Sequence, residues 1–342
     1  MKLLIITQKV DQNDQLLGFF IDWLKRFAEK FEKITVLCLE KGDFDLPENV
    51  KVFSLGKDRG ASKLKQLFTF YSQLYNLRRE YDAVFVHMNP IWIVLGSLFW
   101  RLLSKKIYFW YTHKAVTLKL CLAEKMADVI FTASEDSFRL PSDKVKIMGH
   151  GINTWLFQPS ENLKSKSEKL MILSVGRIAP VKNYETLIDA AKILKDEGVE
   201  FLVTMVGEVA LNSDTRYLES LKLKIKSLNL ENNFNFVGKI INKDLPSYYQ
   251  SNDIFVHLSK TGSLDKVILE AMACGMKTLS SNDSAKAFLP VNLIFNEDNS
   301  SELAEKIITL GSQEVDLGLR EYVAQNHNLD KLINKISSVI NG

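Results

Sequence analysis

The chain has 342 residues, of which 46% are hydrophobic and 25% are charged, with only 16 Gly and 7 Pro. This composition is typical of a globular protein and excludes disordered, collagen-like and coiled-coil classes, and the length predicts two domains. The three cysteines are distant in sequence and show no C-x-x-C spacing. We therefore expect neither a disulfide framework nor a cysteine zinc site, and a reducing, cytoplasmic location is favoured.

The net charge of +3 is divided unevenly along the chain. Residues 1–160 hold 23 Lys and Arg against 17 Asp and Glu, a charge of +6, whereas residues 161–342 hold 21 against 24, a charge of −3. All five tryptophans also lie in the first part. A basic, aromatic-rich half can face an anionic membrane or a nucleic acid. Because no nucleic-acid motif is visible, we favour a peripheral position at the inner face of the membrane and expect no nucleic-acid partner.

The first half alternates apolar, β-rich runs with helical patterns. Its N-terminal run lacks a cleavage signal and predicts a strand rather than a signal peptide. The apolar segment 91–103 is interrupted by Arg101 and is shorter than the roughly 20 residues that span a bilayer, so no transmembrane helix is expected. Segment 91–106 is interpreted as a buried helix, with a membrane-facing role as the alternative. Strands are predicted at residues 2–7, 33–39, 83–87, 106–111 and 128–132.

After a polar segment at residues 158–169 the alternation of strands and helices begins again. Near-continuous apolar strands between amphipathic helices indicate parallel sheets covered on both faces. The sequence therefore predicts two Rossmann-like doubly wound α/β domains, residues 1–158 and 159–327, facing each other across a cleft. The closing segment 328–342 carries apolar residues at helical spacing and is assigned to the first domain.

The first chemical signal is a glycine followed by two cations. A predicted strand ends at Gly176, and Arg177 and Lys182 bracket the loop before the next helix. Two cations beside a helix N-terminus suit a diphosphate, because guanidinium and backbone N–H groups bind phosphate oxygens. The alternative is an ordinary solvated basic turn.

The second signal is a carboxylate in an apolar helix. Glu270 lies among Val267, Ile268, Leu269, Ala271 and Met272, where an unpaired charge is costly to bury. This glutamate could accept hydrogen bonds from a ribose while the helix start at residues 263–266 receives phosphate oxygens. A structural ion pair with a nearby lysine is the alternative.

These motifs carry a family resemblance. GRIAPVKNYETLIDAA at 176–191 and LPSYYQSNDIFVHLSKTGSLDKVILEAMACG at 245–275 resemble the nucleotide-sugar half of the retaining glycosyltransferases of family 4, which have the GT-B fold. VGE at 206–208 and FVGKI at 236–240 follow the same pattern in the same order. The first half is similar in layout only, through VHMNP at 86–90, YTHK at 111–114 and MGHGINTWLFQP at 148–159.

The resemblance implies a role for each matching position. Arg177 and Lys182 would hold the donor diphosphate in place of a metal ion, Glu270 would bind the ribose, and His113 would lie near the transferred sugar. No cofactor or metal is therefore expected. The predicted catalytic residues are His113, Arg177, Lys182 and Asp265, and the predicted donor-binding residues are Gly176, Val237, Gly238, Lys239, Ile240, Leu264, Lys266, Val267 and Glu270.

The chain departs from the family at one important position. The family usually has two glutamates eight residues apart, and Gly262 stands where the first would be. Thr261, Ser263 and Asp265 are the nearest polar residues. Asp265 either replaces the missing carboxylate or caps the helix, and the sequence leaves both open.

The leading hypothesis is a retaining hexosyltransferase that moves a sugar from a nucleotide-diphosphate donor to a hydroxyl of a lipid-linked or cell-surface glycan. Two alternatives remain: a nucleotide-sugar-binding subunit without catalysis, and a GT-B epimerase or phosphorylase. His87 and His150 are weaker site candidates than His113, and His257 and His327 weaker still.

Overall fold

The computed structural model describes residues 1–160, 169–209, 211–262, 264–314 and 317–342. The chain divides into two compact units. The first unit comprises Met1–Asn153 with His327–Gly342, and the second unit comprises Thr154–Asn326.

The first unit is built on a seven-stranded parallel sheet in the order β3-β2-β1-β4-β5-β6-β7. Its strands are β1 (Lys2–Val10), β2 (Lys33–Lys41), β3 (Val50–Ser54), β4 (Ala83–His87), β5 (Lys106–Trp110), β6 (Val129–Thr132) and β7 (Val145–Ile147). Its helices in this stretch are α1 (Phe20–Ala28), α2 (Lys63–Leu77), α3 (Pro90–Leu102) and α4 (Leu118–Met126).

Helices cover both faces of this sheet because alternate strand residues point to opposite sides. Leu3 and Ile5 of β1 belong to one core cluster, whereas Leu4 and Ile6 belong to another. The first cluster includes the apolar face of α1, and the second includes buried residues of α2, α3 and α4.

The second unit contains a five-stranded parallel sheet in the order β10-β9-β8-β11-β12. Its strands are β8 (Leu170–Val175), β9 (Phe201–Val206), β10 (Phe234–Gly238), β11 (Ile254–His257) and β12 (Lys277–Ser280). Its helices are α5 (Tyr184–Asp196), α6 (Thr215–Ser227), α7 (Leu245–Ser251), α8 (Lys266–Ala273), α9 (Ser300–Gly311) and α10 (Gly318–Asn326).

The last helix, α11 (Leu329–Asn341), returns to the first unit, as the sequence predicts. Asn328 caps its N-terminus by accepting from the Lys331 amide at 2.9 Å, and Asp330 forms an ion pair with Arg26 of α1 at 2.6 Å. Its apolar face is buried in the same core cluster as α1, through Leu329, Leu332, Ile333, Ile336 and Ile340.

The unit boundary lies after Asn153 rather than after residue 158. Residues just after Asn153 pack within the second unit, because the buried Phe157 ring contacts Tyr249 with 5.9 Å between centroids. The Gln250 side chain also donates to the Gln158 carbonyl at 2.7 Å. Most of the predicted linker, residues 161–168, lies outside the described residues.

Within the described parts of the chain, no helix combines the length and apolar character needed to cross a bilayer.

Candidate functional site

The predicted donor-site residues of the second unit follow the carboxyl ends of neighbouring parallel strands. The chain leaves β8 toward β9 on one side of the sheet, and it leaves β11 toward β12 on the other side. Such a reversal of strand order opens a crevice beyond the carboxyl ends of the two central strands, where open α/β sheets bind ligands. The β8 loop carries Arg177 and Lys182, and the β11 loop leads to Asp265 and α8.

Backbone hydrogen bonds hold the ends of β8, β9 and β10 together. The Gly176 amide donates to Val206 O at 2.9 Å, and the Gly207 amide donates to Gly238 O at 2.8 Å. The Ile178 amide then donates to Glu208 O at 2.9 Å. The path of the Gly176–Arg177 backbone is therefore fixed by its neighbouring strands.

Gly207 permits this close approach. Its φ is +141°, and a Cβ built on it would lie 1.9 Å from the Gly176 carbonyl oxygen. This contact is with backbone and cannot be relieved by a rotamer change. The sequence motif VGE contains this glycine for a steric reason.

We expect Gly207→Ala to displace the Gly176–Arg177 loop and to lower both the melting temperature and the affinity for a nucleotide diphosphate. Gly198→Ala is the matched control, because Gly198 also has a positive φ but has no atom within 4 Å of its Cβ position. The control should cost about 1–2 kcal/mol, the strain of a left-handed residue. Thermal unfolding and calorimetric titration would check this, and equal losses in the two variants would contradict it.

Lys182 and Asp265 meet across the two central strands. Lys182 lies at the end of a short 3₁₀ turn, Pro180–Lys182, and its side chain is only 11% exposed. Its Nζ donates to Asp265 Oδ2 at 2.5 Å, and the Gly176 Cβ position lies 3.4 Å from Lys182 Cε. The structure thus brings three of the predicted site residues together.

His257, the last residue of β11, completes this polar cluster. Its Nε2 lies 3.0 Å from Asp265 Oδ2, and its Nδ1 lies 3.3 Å from Ser280 Oγ. An ionised carboxylate only accepts hydrogen bonds. The neutral His257 ring therefore carries its proton on Nε2, and this N–H donates a hydrogen bond to Asp265. The Ser280 hydroxyl then donates to Nδ1, and its oxygen accepts from the Asn282 amide at 3.1 Å.

The cluster keeps opposite charges side by side. Burial alone would raise the pKa of Asp265, but its hydrogen bonds with His257 and Lys182, together with the charge of Lys182, outweigh burial and hold that pKa well below its usual range. Burial lowers the pKa of His257 despite the opposing effect of Asp265. At neutral pH the cluster therefore contains an ionised Asp265 and a neutral His257.

Asp265 does not cap α8 with its side chain. It occupies the N-cap position, but its carboxylate makes no capping hydrogen bond, and its backbone carbonyl accepts from the Ile268 amide instead. The capping alternative is therefore wrong, because the side chain is engaged by Lys182 and His257. Gly262 has a φ of +66°, and Thr261 Oγ1 lies 3.2 Å from Ser259 Oγ. Ser263 lies outside the described residues.

Glu270 is buried in α8, one turn from Lys266. The Tyr249 hydroxyl donates to Glu270 Oε2 at 3.1 Å. Burial raises the pKa of Glu270 and lowers the pKa of Lys266, while the attraction between the two charges opposes both shifts. The attraction between the two charges is consistent with the structural alternative for this glutamate, and Tyr249 contacts only one of the two carboxylate oxygens.

The remaining donor-site candidates occupy the surrounding loops. Arg177 is exposed, and none of the described residues forms a hydrogen bond or ion pair with its guanidinium. Val237 and Gly238 end β10, followed by the exposed Lys239 and the half-buried Ile240. Leu264 is buried just before α8, and Val267, in its first turn, is half-buried.

His113 belongs to the first unit and follows the end of β5. The ring is exposed, and its Nδ1 accepts from the Ala115 amide at 3.0 Å, so the neutral form carries its proton on Nε2. His87, at the end of β4, is buried and its Nδ1 lies 3.1 Å from Thr7 Oγ1. His150 and His327 are also buried, and the His150 amide donates to His327 Nδ1 at 3.2 Å.

His257 and Tyr249 contact Asp265 and Glu270 respectively, although the sequence favoured neither of them as a site residue. His257 ends the apolar run IFVH at 254–257, and this position was the available signal, since the carboxyl ends of such strands meet ligands in α/β sheets. Tyr249 gave no such signal, because its contact with Glu270 joins two different helices. Among the described residues no group of three or more His, Cys, Asp or Glu is placed to hold a metal ion.

Comparisons with known proteins identify the family. A family model described as "Glycosyl transferases group 1" matches residues 158–330, which is half of the chain. The chain belongs to the group 1 glycosyl transferases. The family and the enzyme class predicted from the motifs, a glycosyltransferase, are therefore confirmed, and the finer assignment to family 4 stays a prediction.

Two curated relatives match this chain over different lengths. Mannosylfructose-phosphate synthase of Agrobacterium fabrum is 34% identical over 114 residues, covering 33% of this chain and 25% of that protein. An uncharacterized glycosyltransferase of Haemophilus influenzae is 27% identical over 254 residues, covering 70% of this chain and 69% of that protein. The chain therefore spans only a quarter of the first relative's length.

A solved structure shares the fold over the whole chain. HepE of Anabaena, crystallised in complex with UDP, superposes with a TM-score of 0.77 at 18% identity and covers 100% of both chains. At this identity the likeness shows the fold alone. It confirms the predicted GT-B class, built from two Rossmann-like doubly wound units.

Proposed function

We propose that this group 1 glycosyltransferase transfers a sugar from a nucleotide-diphosphate sugar to an acceptor hydroxyl with retention of anomeric configuration. The observation that carries the proposal is the contact between Lys182 and Asp265 across the switch point of the second sheet, beside Gly176 and the exposed Arg177. HepE of Anabaena, which shares this fold, was crystallised with UDP, and this supports a nucleotide diphosphate as the ligand.

Arg177 and Lys182 would bind the donor diphosphate. The Arg177 guanidinium can bind two phosphate oxygens at once, and its charge is not neutralised by a described residue. Lys182 forms an ion pair with Asp265, and this contact holds Nζ near the end of β8 before the donor binds. Both cations would stabilise the negative charge that develops on the leaving diphosphate, so the proposal requires no metal ion.

The other donor contacts come from α8 and β10. The second oxygen of Glu270 would accept from the ribose hydroxyls, and the backbone at residues 237–240 would meet the base. Amide groups at the start of α8, at Leu264, Lys266 and Val267, would receive phosphate oxygens. Asp265 and His257 act on Lys182 rather than on the reacting atoms, so we assign them to positioning, and Asp265 supplies a carboxylate three residues after Gly262.

The proposed acceptor is a lipid-linked or cell-surface glycan, and the first unit would bind it. His113 Nδ1 accepts a hydrogen bond from the Ala115 amide, so the neutral ring carries its N–H at Nε2. We propose this N–H as a hydrogen-bond donor from the first unit to a sugar hydroxyl of the substrate. We place the protein in the cytoplasm, attached peripherally to the inner face of the membrane.

The function is tested by adding UDP-, GDP- and ADP-sugars to the protein in a thermal-shift experiment, followed by a donor-hydrolysis and transfer assay on the best ligand. We expect one base class to raise the melting temperature and slow donor hydrolysis without added metal. Binding without turnover would identify a binding subunit, the alternative that Gly262 favours. Conversion of the donor without acceptor, or transfer to inorganic phosphate, would identify an epimerase or a phosphorylase.

A further inference from the structure

Three consecutive helices, α2, α3 and α4, form one layer on the first sheet. Their inner residues, including Phe70, Trp92, Trp100 and Leu120, belong to one core cluster with β1, β4 and β5. The Tyr71 hydroxyl donates to the Leu95 carbonyl at 3.0 Å, which joins α2 to α3. Arg101 donates to the Met126 carbonyl at 3.2 Å, which joins α3 to α4. The outer sides of these helices therefore form one continuous surface.

Large apolar side chains cover this outer surface. On α2 they recur at the spacing i, i+4, i+7 and i+11, which places them on one side of the helix. The most exposed are Phe68 at 75%, Leu98 at 72%, Leu102 at 77% and Leu118 at 76%. We define the outer apolar surface by eight exposed residues: Leu64, Phe68, Tyr71, Tyr75, Leu98, Leu102, Leu118 and Leu122. Contiguous apolar exposure of this kind marks an interaction site.

The charge of the same helices is almost entirely positive. α2, α3 and α4 contain five cations, Lys63, Lys65, Arg101, Lys119 and Lys125, and one acid, Glu124. The Glu124 carboxylate accepts from the Ser142 hydroxyl at 2.8 Å. Across the described parts of the chain, no carboxylate forms an ion pair with Lys63, Lys65, Lys119 or Lys125.

We propose that the outer apolar surface binds an anionic lipid bilayer. Its leucines and Phe68 would enter the interface between headgroups and acyl chains, and the flanking lysines would contact lipid phosphates. Long lysine side chains can lie along apolar surface while their charged ends reach the headgroups. The charge also decides against a second copy of this chain as the occupant, because a symmetric contact would bring like charges together.

Segment 91–106, interpreted from the sequence as a buried helix, contributes only part of this surface. Segment 91–106 is partly buried, since Trp92, Ile93 and Trp100 lie in the core, and only its outer side is exposed. Lys105 donates to the Tyr81 carbonyl at 2.6 Å and is not directed to a lipid headgroup. The lysines that flank the apolar side chains lie on α2 and α4 instead.

The inference rests on the proposed function in one respect: a lipid-linked acceptor lies at a bilayer, where the enzyme must reach it. Membrane binding itself can be measured without any turnover. Failure of one proposal is therefore distinguishable from failure of the other.

The test is flotation of the protein with vesicles of phosphatidylcholine alone or mixed with phosphatidylglycerol, at low and at high salt. The variants are Phe68→Ser with Leu98→Ser, and a charge variant with Lys63, Lys65, Lys119 and Lys125 each replaced by Gln. Leu223→Ser on α6 of the second unit is the matched control, because Leu223 is 68% exposed. Donor hydrolysis and the melting temperature confirm that each variant remains folded and active.

We expect the wild type and the control to float with anionic vesicles, and both surface variants to lose binding by about tenfold or more. High salt or neutral vesicles should weaken wild-type binding. Equal flotation of wild type and surface variants would overturn the proposal, and so would equal binding to neutral vesicles. Self-association in sedimentation experiments that both surface variants abolish, without vesicle binding, would assign the surface to a second copy and also overturn it.

Discussion

Lys182→Ala should lower kcat by about a hundredfold or more, because it removes a preorganised cation from the leaving diphosphate. Arg177→Ala should have a comparable effect. An interaction made mainly in the transition state lowers kcat and kcat/KM together, whereas loss of ground-state binding alone raises KM. Steady-state kinetics with the donor identified in the thermal-shift experiment measures this split.

The matched control for Lys182→Ala is Lys192→Ala. Lys192 lies in α5 of the same unit and pairs with Asp196 one turn later at the exposed surface. Lys192→Ala removes the same charge from the unit, away from the donor site, and should leave kcat unchanged. It should also leave the fold intact, since an exposed pair of this kind contributes only about 0.3–0.5 kcal/mol to stability. Near-normal turnover of both Arg177→Ala and Lys182→Ala would contradict the proposed role of these cations.

Glu270→Gln should weaken donor binding about tenfold to a hundredfold. The proposed contacts of Glu270 with the ribose are charge-assisted, and such hydrogen bonds contribute about 1.5–3 kcal/mol each. The substitution also removes the carboxylate charge that stabilises the buried Lys266 ammonium against the effect of burial. The melting temperature should therefore fall. Calorimetric titration and thermal unfolding measure the two effects separately.

A second variant distinguishes a ribose contact from a purely structural charge pair. In Lys266→Met with Glu270→Gln both charges are absent, and the melting temperature should recover toward the wild-type value. Donor affinity should stay low, because the ribose acceptor is still missing. Recovery of affinity together with stability would show that Glu270 only compensates Lys266.

The fold was predictable because both sheets are parallel and buried on both faces. Strand β4 is buried at every residue and occupies the predicted range of residues 83–87. Strands β3 and β7 were not predicted, because each includes exposed positions and lacks the continuous apolar pattern of a central strand. The return of α11 followed from an apolar helix face that required a partner surface.

The site was predictable only in part. The sequence places Lys182 and Asp265 after two strands, but their contact depends on β8 and β11 being neighbours in the sheet. Strand order is a property of the folded sheet and not of local spacing. The same limit applies to Asp265 itself, because the sequence cannot show that Lys182 and His257 compete with the α8 amides for its carboxylate.

We propose that the loops after β8 and β11 form the pocket for the donor diphosphate. A crystal structure of the full chain with a non-transferable nucleotide-sugar analogue tests it most directly. We expect diphosphate oxygens about 3 Å from the Arg177 guanidinium and from Lys182 Nζ, with a ribose hydroxyl bound to Glu270. A nucleotide bound elsewhere, with Arg177 and Lys182 both out of contact with its phosphates, would contradict it.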